Sequence, residues 1–432
     1  MIYWVQSRVL FNMEWTEITL GDHIELLTDY HANGAYEKLK ANVTLKSEKD
    51  FSVMIRTLNF ERADFEKELI YINEKEYNFL SKSKVYPGDI LMNKIADAGS
   101  VYYMPDLNSP VSLAMNLFLI RLKPTLNQKF MYYMMKFYEP YIKLYANGAA
   151  TLTITKDSVR NLKFEVPTIN IQDKIVALVS SYDDLIENNL KRIKLLEEMA
   201  QITYEEWFVR MKFPGHETAV FDEETDLPEG WRTESLGNLI KFKKGRKVEV
   251  ISGFEFDGAQ KILLLKSLET GEYEFTSPQK HICAERNDIL MLMDGARSSH
   301  CYRAEKGVVG STMAKLEVDK KVKPFIFYFL TIYREWLITA NTGAAIPHAN
   351  KSFINKIQIK VPTEKIITDW NHFIMPLEDL IWSLKDQIQH LKEARDILLP
   401  RLMTGMIDIE QVELPEVMIK RLEEKKDKMA TA

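Results

Sequence analysis

The chain has 432 residues, with 57 lysines and arginines against 62 aspartates and glutamates and a net charge of −5. That is too long for one hydrophobic core, so two or three domains are expected, and the charge marks no general affinity for nucleic acid, so any such surface must be local. No apolar run, the longest being 325–333, approaches the ~20 residues needed to cross a bilayer, and Cys283 and Cys301 offer neither a disulfide framework nor metal spacing, so a reducing cytoplasm is the expected setting.

At the N-terminus, Arg8 interrupts a segment already too short for a signal peptide. Met13, just before Glu14-Trp15, is an alternative start. Then comes Trp15-Thr16-Glu17-Ile18-Thr19-Leu20-Gly21, which recurs with the same spacing from Trp231 to Gly237. The second copy follows a turn-rich linker, Asp226-Leu227-Pro228-Glu229-Gly230. Residues 51–58 and 69–72 read as strands among polar loops, and their counterpart at 241–286 shows little likeness. Pro87-Gly88-Asp89-Ile90-Leu91-Met92 and Asn287-Asp288-Ile289-Leu290-Met291 each read as a turn into a buried strand. Loops at 93–100 and 293–300 follow, then aromatic-rich core helices at 130–144 and 325–337. Glycine loops stand at Asn147-Gly148-Ala149-Ala150 and Thr342-Gly343-Ala344-Ala345. Each copy ends in a strand closed by Val-Pro, at 162–167 and 357–362.

After each Val-Pro the apolar period lengthens. Ile175, Val179, Tyr182, Ile186, Asn189, Ile193, Leu196, Ala200, Thr203 and Trp207 step by four and three without a slip, a heptad seam. A second seam runs through Ile366, Trp370, Phe373, Leu377, Leu380, Leu384, Gln387, Leu391, Ala394 and Leu398. A constant shift of 195 positions converts Ile175 to Trp370, Tyr182 to Leu377, Leu196 to Leu391 and Thr203 to Leu398. The seams are therefore two copies of one unit. About 33 residues at ~1.5 Å each make a rod of roughly 50 Å, longer than a small domain is wide. Two such helices in one chain have a partner in each other, although each could instead lie on its own domain. Asn189 either fixes the register or is a solvated position. Pro376 predicts a helix start or kink, with the continuous second rod beginning near Leu377.

Catalytic signatures are missing from the sequence. No two glycines sit two apart, no phosphate-binding P-loop occurs, and the only Pro-Asp, at 105–106, has no acidic residue in the next thirty positions. The histidines do not cluster at ligand spacing. The strongest candidate for binding is Lys241-Phe242-Lys243-Lys244-Gly245-Arg246-Lys247, five cations around a glycine that would form a compact anion site. Such charges grip phosphate without reading sequence, and a charge run is as readily a solvated face. Arg297, on a short loop after a strand, could bond a guanine edge or pair with a carboxylate. Lys94 occupies the similar loop of the first copy; Asn147, Lys38 and Lys40 are further candidates.

The repeated frame resembles the specificity (S) subunit of Type I restriction–modification systems. The likeness is carried by Trp231-x5-Gly237 after Leu227-Pro228-Glu229-Gly230, by Gly88-Asp89-Ile90-Leu91 and Asp288-Ile289-Leu290, and by Val166-Pro167 and Val361-Pro362 ahead of the rods. It is carried further by Gln172 and by the ending Leu398-Leu399-Pro400-Arg401-Leu402-Met403-Thr404-Gly405. It covers residues 15 to about 410. Residues 168–172 lack the family's usual second proline, and the first rod ends in Thr203-Tyr204-Glu205-Glu206-Trp207-Phe208 instead of Leu-Leu-Pro.

The resemblance implies an α+β chain: two mixed α/β target recognition domains separated by two long helices that form an antiparallel intramolecular coiled coil. The expected divisions are 1–168 (first recognition domain), 169–212 (central helix), 213–362 (second recognition domain), 363–410 (C-terminal helix) and 411–432 (charged tail). Each domain would read half of a split DNA sequence, rod length setting the unread spacer; readers on one face of B-DNA sit about one turn, roughly 34 Å, apart. The chain itself would carry no cofactor and no catalysis. Methyltransferase (M) subunits would bind S-adenosylmethionine and flip out adenine, restriction (R) subunits would use ATP and Mg, and the outer faces of the rods would dock M. Two other classes fit parts of the pattern: a coiled-coil adaptor that never touches DNA, and a nuclease or methylase of unfamiliar active site.

Overall fold

The computed structural model describes residues 15–62, 64–277, 281–343 and 345–420. The Met13 start, Ala344 of the second glycine loop and the end of the charged tail lie outside the described residues. The chain divides into two units, 1–185 with 391–432, and 186–390, so both divisions fall inside the long helices.

In the first unit, β1 (Thr16–Thr19), β2 (Ile24–Asp29), β3 (Ser52–Ile55), β4 (Tyr71–Ile72), β5 (Lys84–Val85), β6 (Ile90–Asn93), β7 (Val101–Tyr103), β8 (Val111–Leu113), β9 (Leu117–Leu122) and β10 (Lys163–Val166) build three sheets. Their orders are β2-β9-β6-β7, β4-β3-β8-β5 and β1-β10. In the second unit the strands are β11 (Arg232–Ser235), β12 (Ile240–Lys244), β13 (Gln260–Leu263), β14 (Phe275–Thr276), β15 (Cys283–Ala284), β16 (Ile289–Leu292), β17 (Cys301–Arg303), β18 (Gly307–Val309), β19 (Met313–Val318) and β20 (Gln358–Val361). They repeat the orders as β12-β19-β16-β17, β14-β13-β18-β15 and β11-β20. Even the parallel pairing inside an otherwise antiparallel sheet, β3 with β8, returns as β13 with β18. The stretches 25–85 and 241–286, where sequence likeness fades, therefore carry the same topology.

The first three residues of the strand after each Gly-Asp or Asn-Asp turn are apolar because both faces are covered. Ile90, Leu91 and Met92, like Ile289, Leu290 and Met291, are fully buried. One face of the first strand packs with Phe118, Ile120, Phe130 and Met134, the other with Val53, Val111 and Leu119. The repeated Trp-x5-Gly has a steric cause. A Cβ on Gly21 would lie 2.9 Å from the Arg160 carbonyl oxygen, and one on Gly237 2.9 Å from that of Asn355. Those two contact residues are themselves 195 positions apart. The aromatic helices differ from expectation: each breaks in two, Gln128–Phe137 then Glu139–Lys143, and Lys323–Ile332 then Arg334–Thr339. Glu335 stands where the first copy has Pro140, so proline is not the shared cause. Tyr138 and Tyr333 adopt the same bridge conformation at the break, with φ near −90°.

The central helix runs Ile169–Tyr204, 36 residues, and the C-terminal helix Glu364–Met403, 40 residues. The expected start or kink at Pro376 is not a break; the helix continues through it. Proline removes one backbone bond there, while buried Trp370, Ile374, Ile381 and Leu384 hold the helix on either side. The central seam is as read: Ile175, Val179, Ile186, Asn189, Ile193 and Ala200 are buried, and Tyr182, Leu196, Thr203 and Trp207 half-buried. The C-terminal seam keeps Leu377, Leu384, Leu391 and Leu398 but slips elsewhere. Leu380 and Gln387 are exposed, and Ile381 and Ile388 are buried instead. The line actually covered, Trp370, Ile374, Leu377, Ile381, Leu384, Ile388 and Leu391, still steps by four and three, so it is a heptad seam in the other phase.

Within each unit the helices are antiparallel. In the first, Arg395 Nη1 donates to Asp183 Oδ1 at 2.8 Å, while Ile175 and Val179 share a core with Leu402 and Met403. In the second, Asn189 Nδ2 donates to Gln387 Oε1 at 3.3 Å, and Trp207 meets Trp370 with ring centroids 5.7 Å apart.

Candidate nucleic-acid interface

At one end of each four-stranded sheet, three segments that are distant in sequence converge. In the first unit they are the end of β2, the loop after β6 and the glycine loop. The loop backbones are tied: Ile154 N donates to the Lys94 carbonyl at 3.0 Å, Ala96 N to Leu152 at 2.9 Å, and Asn147 N to Thr153 at 2.8 Å. Asp29, at the end of β2, takes Lys94 Nζ at 2.6 Å and Lys156 Nζ at 3.0 Å. Burial pushes the Asp29 carboxyl up, but the two lysines outweigh it and hold the group below the usual carboxylate range. Lys94 and Asn147, both singled out from sequence, are thus brought to one patch. Lys94, however, is buried in an ion pair and is not free to take a phosphate. Lys38 and Lys40 lie elsewhere, exposed on helix Tyr36–Asn42, with Lys38 Nζ 5.8 Å from the Phe79 ring centre.

The second unit reverses the charge at the end of the strand and moves its partner by one position: Asp294 pairs with His348 as Ile95 pairs with Thr153, and Met293 stands where Lys94 does. The strand register sets Lys244 where Asp29 stands. Lys244 Nζ reaches Asp294 Oδ2 at 3.0 Å, and Asp294 Oδ1 also meets His348 Nδ1 at 2.8 Å. Burial raises the Asp294 carboxyl, but His348 and Lys244 bring it below its ordinary value. The cluster 241–247 is not the compact anion site expected. A strand sends alternate side chains to opposite faces, and partners claim part of the charge: Lys243 lies 3.6 Å from Glu317, and Lys244 holds Asp294. Lys241, Arg246 and Lys247 remain exposed, with no ion pair among the described residues. Gly245 is required by close approach: a Cβ there would sit 2.2 Å from the Gly310 carbonyl oxygen. Arg297 takes the carboxylate reading, holding Glu269 through both terminal nitrogens at 2.5 and 3.0 Å.

Sequence reasoning missed a concave cleft of about 330 Å³ in the first unit, lined by Lys82, Lys84, Tyr86, Arg121 and Lys156. Tyr86 is half exposed and stacks on the Arg121 guanidinium at 4.6 Å. Arg121 is itself anchored, Nε and Nη2 donating to Asp89 at 2.6 and 2.7 Å. Lys84 Nζ donates to Asn78 Oδ1 at 3.2 Å and lies 4.3 Å from the Tyr77 ring centre, so Lys82 and Tyr86 are the most exposed of these groups at the cleft. The only signal in the sequence was Lys82-Ser83-Lys84-Val85-Tyr86 ahead of Gly88-Asp89. Among the described residues no group of three or more His, Cys, Asp or Glu could hold a metal ion, and no helix is long and apolar enough to cross a membrane.

Comparison with known proteins matches residues 12–198 and 228–391 to the model of one family, described as the Type I restriction modification DNA specificity domain. The chain belongs to that family. It is similar to the MjaIX specificity subunit of Methanocaldococcus jannaschii, 22% identical over 380 residues that cover 80% of this chain and 85% of that one. It is also similar to the HindI specificity subunit of Haemophilus influenzae, 23% identical over 422 residues, 78% of this chain and 90% of that one. The crystal structure of the Type I restriction–modification S subunit from M. genitalium shares the fold at a TM-score of 0.54 and 15% identity, covering 91% of this chain and 97% of that one. The chain is therefore a specificity subunit, the non-catalytic member of its system.

In this specificity subunit, each globular part meets a long helix at a tyrosine and an acid that lie 195 positions from their copies, and an arginine holds the acid in both. Tyr133 donates its hydroxyl to Asp183, which also accepts from Arg395. Burial first, then the Asp183 charge, pushes the Tyr133 phenol far up. At the matching places stand Tyr328 and Glu378, but the arginine there is Arg303 of β17, with side chains only 10% and 6% exposed. Burial raises the Glu378 carboxyl while Arg303 opposes the shift. Gln172, noted in the family comparison of the sequence, is 1% exposed and bridges two segments. It donates to the Pro167 carbonyl at 2.8 Å and accepts from Asn127 N at 2.9 Å.

Proposed function

We propose that this specificity subunit reads a bipartite double-stranded DNA target, one part per unit, and carries the methyltransferase and restriction subunits that act on it. One observation carries the reading. The two units repeat strand for strand, yet the same sheet end presents an acid flanked by lysines in one and a lysine facing an acid in the other. A shared scaffold with exchanged side chains is how one frame reads two different sequences. Lys82, Lys84 and Tyr86 in the first unit, and Lys241, Arg246 and Lys247 in the second, are the proposed DNA contacts. Cations at such positions fix the protein on the phosphates, while groups in the cleft face base edges. Lys38, Lys40 and Asn147 are secondary contacts; Lys94, Lys243, Lys244 and Arg297 act by shaping the surface.

Partner subunits would dock on the helices. Leu195, Met199 and Ile202 form an apolar stripe on the second unit's part of the central helix, 41–64% exposed and spaced four and three. S-adenosylmethionine would be bound by the methyltransferase partner, ATP and Mg by the restriction partner, and none by this chain. The setting is the cytoplasm. The test is the methylome of a cell carrying the chain with its partners. A split, non-palindromic methylated motif is expected; no methylated motif dependent on the chain would refute the reading.

A further inference from the structure

In the second unit the globular part meets the C-terminal helix along three successive turns. Glu378, Trp382 and Asp386 stand four residues apart, so they lie on one face. Each takes one partner from the edge of the sheet, Arg303 at the end of β17 or Arg286 and Asn287 in the turn before β16. Glu378 is paired with Arg303, whose guanidinium lies 3.9 Å from the Phe327 ring centre. Trp382 donates its indole N–H to Asn287 Oδ1 at 2.5 Å. Asp386 takes both terminal nitrogens of Arg286 at 3.1 and 2.9 Å, and that guanidinium also covers the Trp382 ring at 4.8 Å. Asn287 holds φ at +69°, a left-handed backbone that aims its side chain at the helix. Beside this contact a cavity of about 230 Å³ remains, lined by Gln201, Tyr302, Thr331 and Lys385 among others. The dock is therefore polar and directional, not a filled apolar seam. Apolar contacts can slide; a bidentate arginine and a buried ion pair cannot without leaving charges unpaired.

We propose that Glu378, Trp382 and Asp386 form a ladder that fixes the orientation of the second recognition domain on its helix, and so sets how strictly the subunit measures the gap in its target. The proposal rests on the bipartite reading above and names its positioning residues. None of the three touches DNA in this account.

The test uses the full chain assembled with its own partner subunits. The probe is a duplex library with two randomised blocks whose separation varies in single base-pair steps. The wild type should enrich one pair of half-sites at one separation. In a double variant, Arg303→Met with Glu378→Leu, the buried charges are replaced by apolar groups of similar bulk, a change that leaves stability level or raised. This variant should enrich the same half-sites but lose about tenfold in preference for that separation, the size of coupling that contacting residues share. The exposed pair gives a second arm that does not disturb the core. Asp386→Arg should broaden the separation, and adding Arg286→Asp should restore it. Unchanged discrimination in both arms overturns the ladder. Failure of the wild type to enrich any split pair overturns the bipartite reading instead.

Discussion

The two recognition domains answer the same structural problem with different charges. Where β2 ends, Asp29 is pinned by Lys94 and Lys156, nearly out of solvent. Where β12 ends, Lys244 meets Asp294 with roughly half of its side chain exposed. The joints to the helices differ in the reverse sense. Asp183 and Arg395 are each about 30% exposed, while Glu378 and Arg303 are 10% exposed or less. Topology is thus held constant while burial of polar groups is moved between the sheet end and the joint. In the first unit the more buried ion pairs lie at the sheet end; in the second the more buried one lies at the joint.

The comparison is broken most sharply at the joints. Glu378→Ala leaves Arg303 buried without a partner and should cost about 3–5 kcal/mol; the matching Asp183→Ala should cost about 1–2 kcal/mol, since its site is wetter. Denaturant melts of the two variants would separate these values, and equal losses would remove the contrast. At the sheet ends the order inverts. Asp29→Ala strands Lys94 and should cost about 3 kcal/mol, while Lys244→Ala should cost less than about 1 kcal/mol. Acid sharpens the same point. Asp29 is held below its ordinary range, so its contribution is complete above the unfolded-state value of about 3.9 and is lost as pH falls through the lower folded value. The excess acid sensitivity of the wild type over Asp29→Asn should appear only below about pH 4.

A smaller effect is expected in the seam. Asn189 is buried and its partner is Gln387, so Asn189→Leu should stabilise the helix pair by about 1 kcal/mol while loosening its register. Thermal melts would give the first, and cysteine cross-linking of helix positions the second. Neutralising Lys241, Arg246 and Lys247 should leave stability unchanged. It should lower the salt slope of DNA affinity by about one per cation that contacts phosphate.

The doubled frame was legible because it is written in local pattern. The 195-residue shift, the Trp-x5-Gly openings and the heptads each need only neighbouring residues to be seen. What stayed hidden depends on partners far away in the chain. Arg297 stood between a guanine edge and a carboxylate until Glu269 was placed beside it, and Lys94 had no visible partner until Asp29 was. The seam runs through Ile381 instead of Leu380 because these adjacent apolar residues fit a four-and-three spacing in either phase, and the heptad count alone does not decide between them. The topology of 25–85 and 241–286 was invisible because its strands are short and pair with strands far away in the chain, as β3 does with β8 and β13 with β18. The Lys82–Tyr86 cleft was missed for a related reason: its walls come from four separate segments.

The central claim is that one polypeptide holds two separate readers of different sequence. A nuclease footprint of the full chain with its partner subunits on a chromosomal fragment bearing its methylated site tests it most directly. The account predicts two protected blocks of unlike sequence flanking bases whose identity does not matter. One uninterrupted block whose every base matters would contradict it.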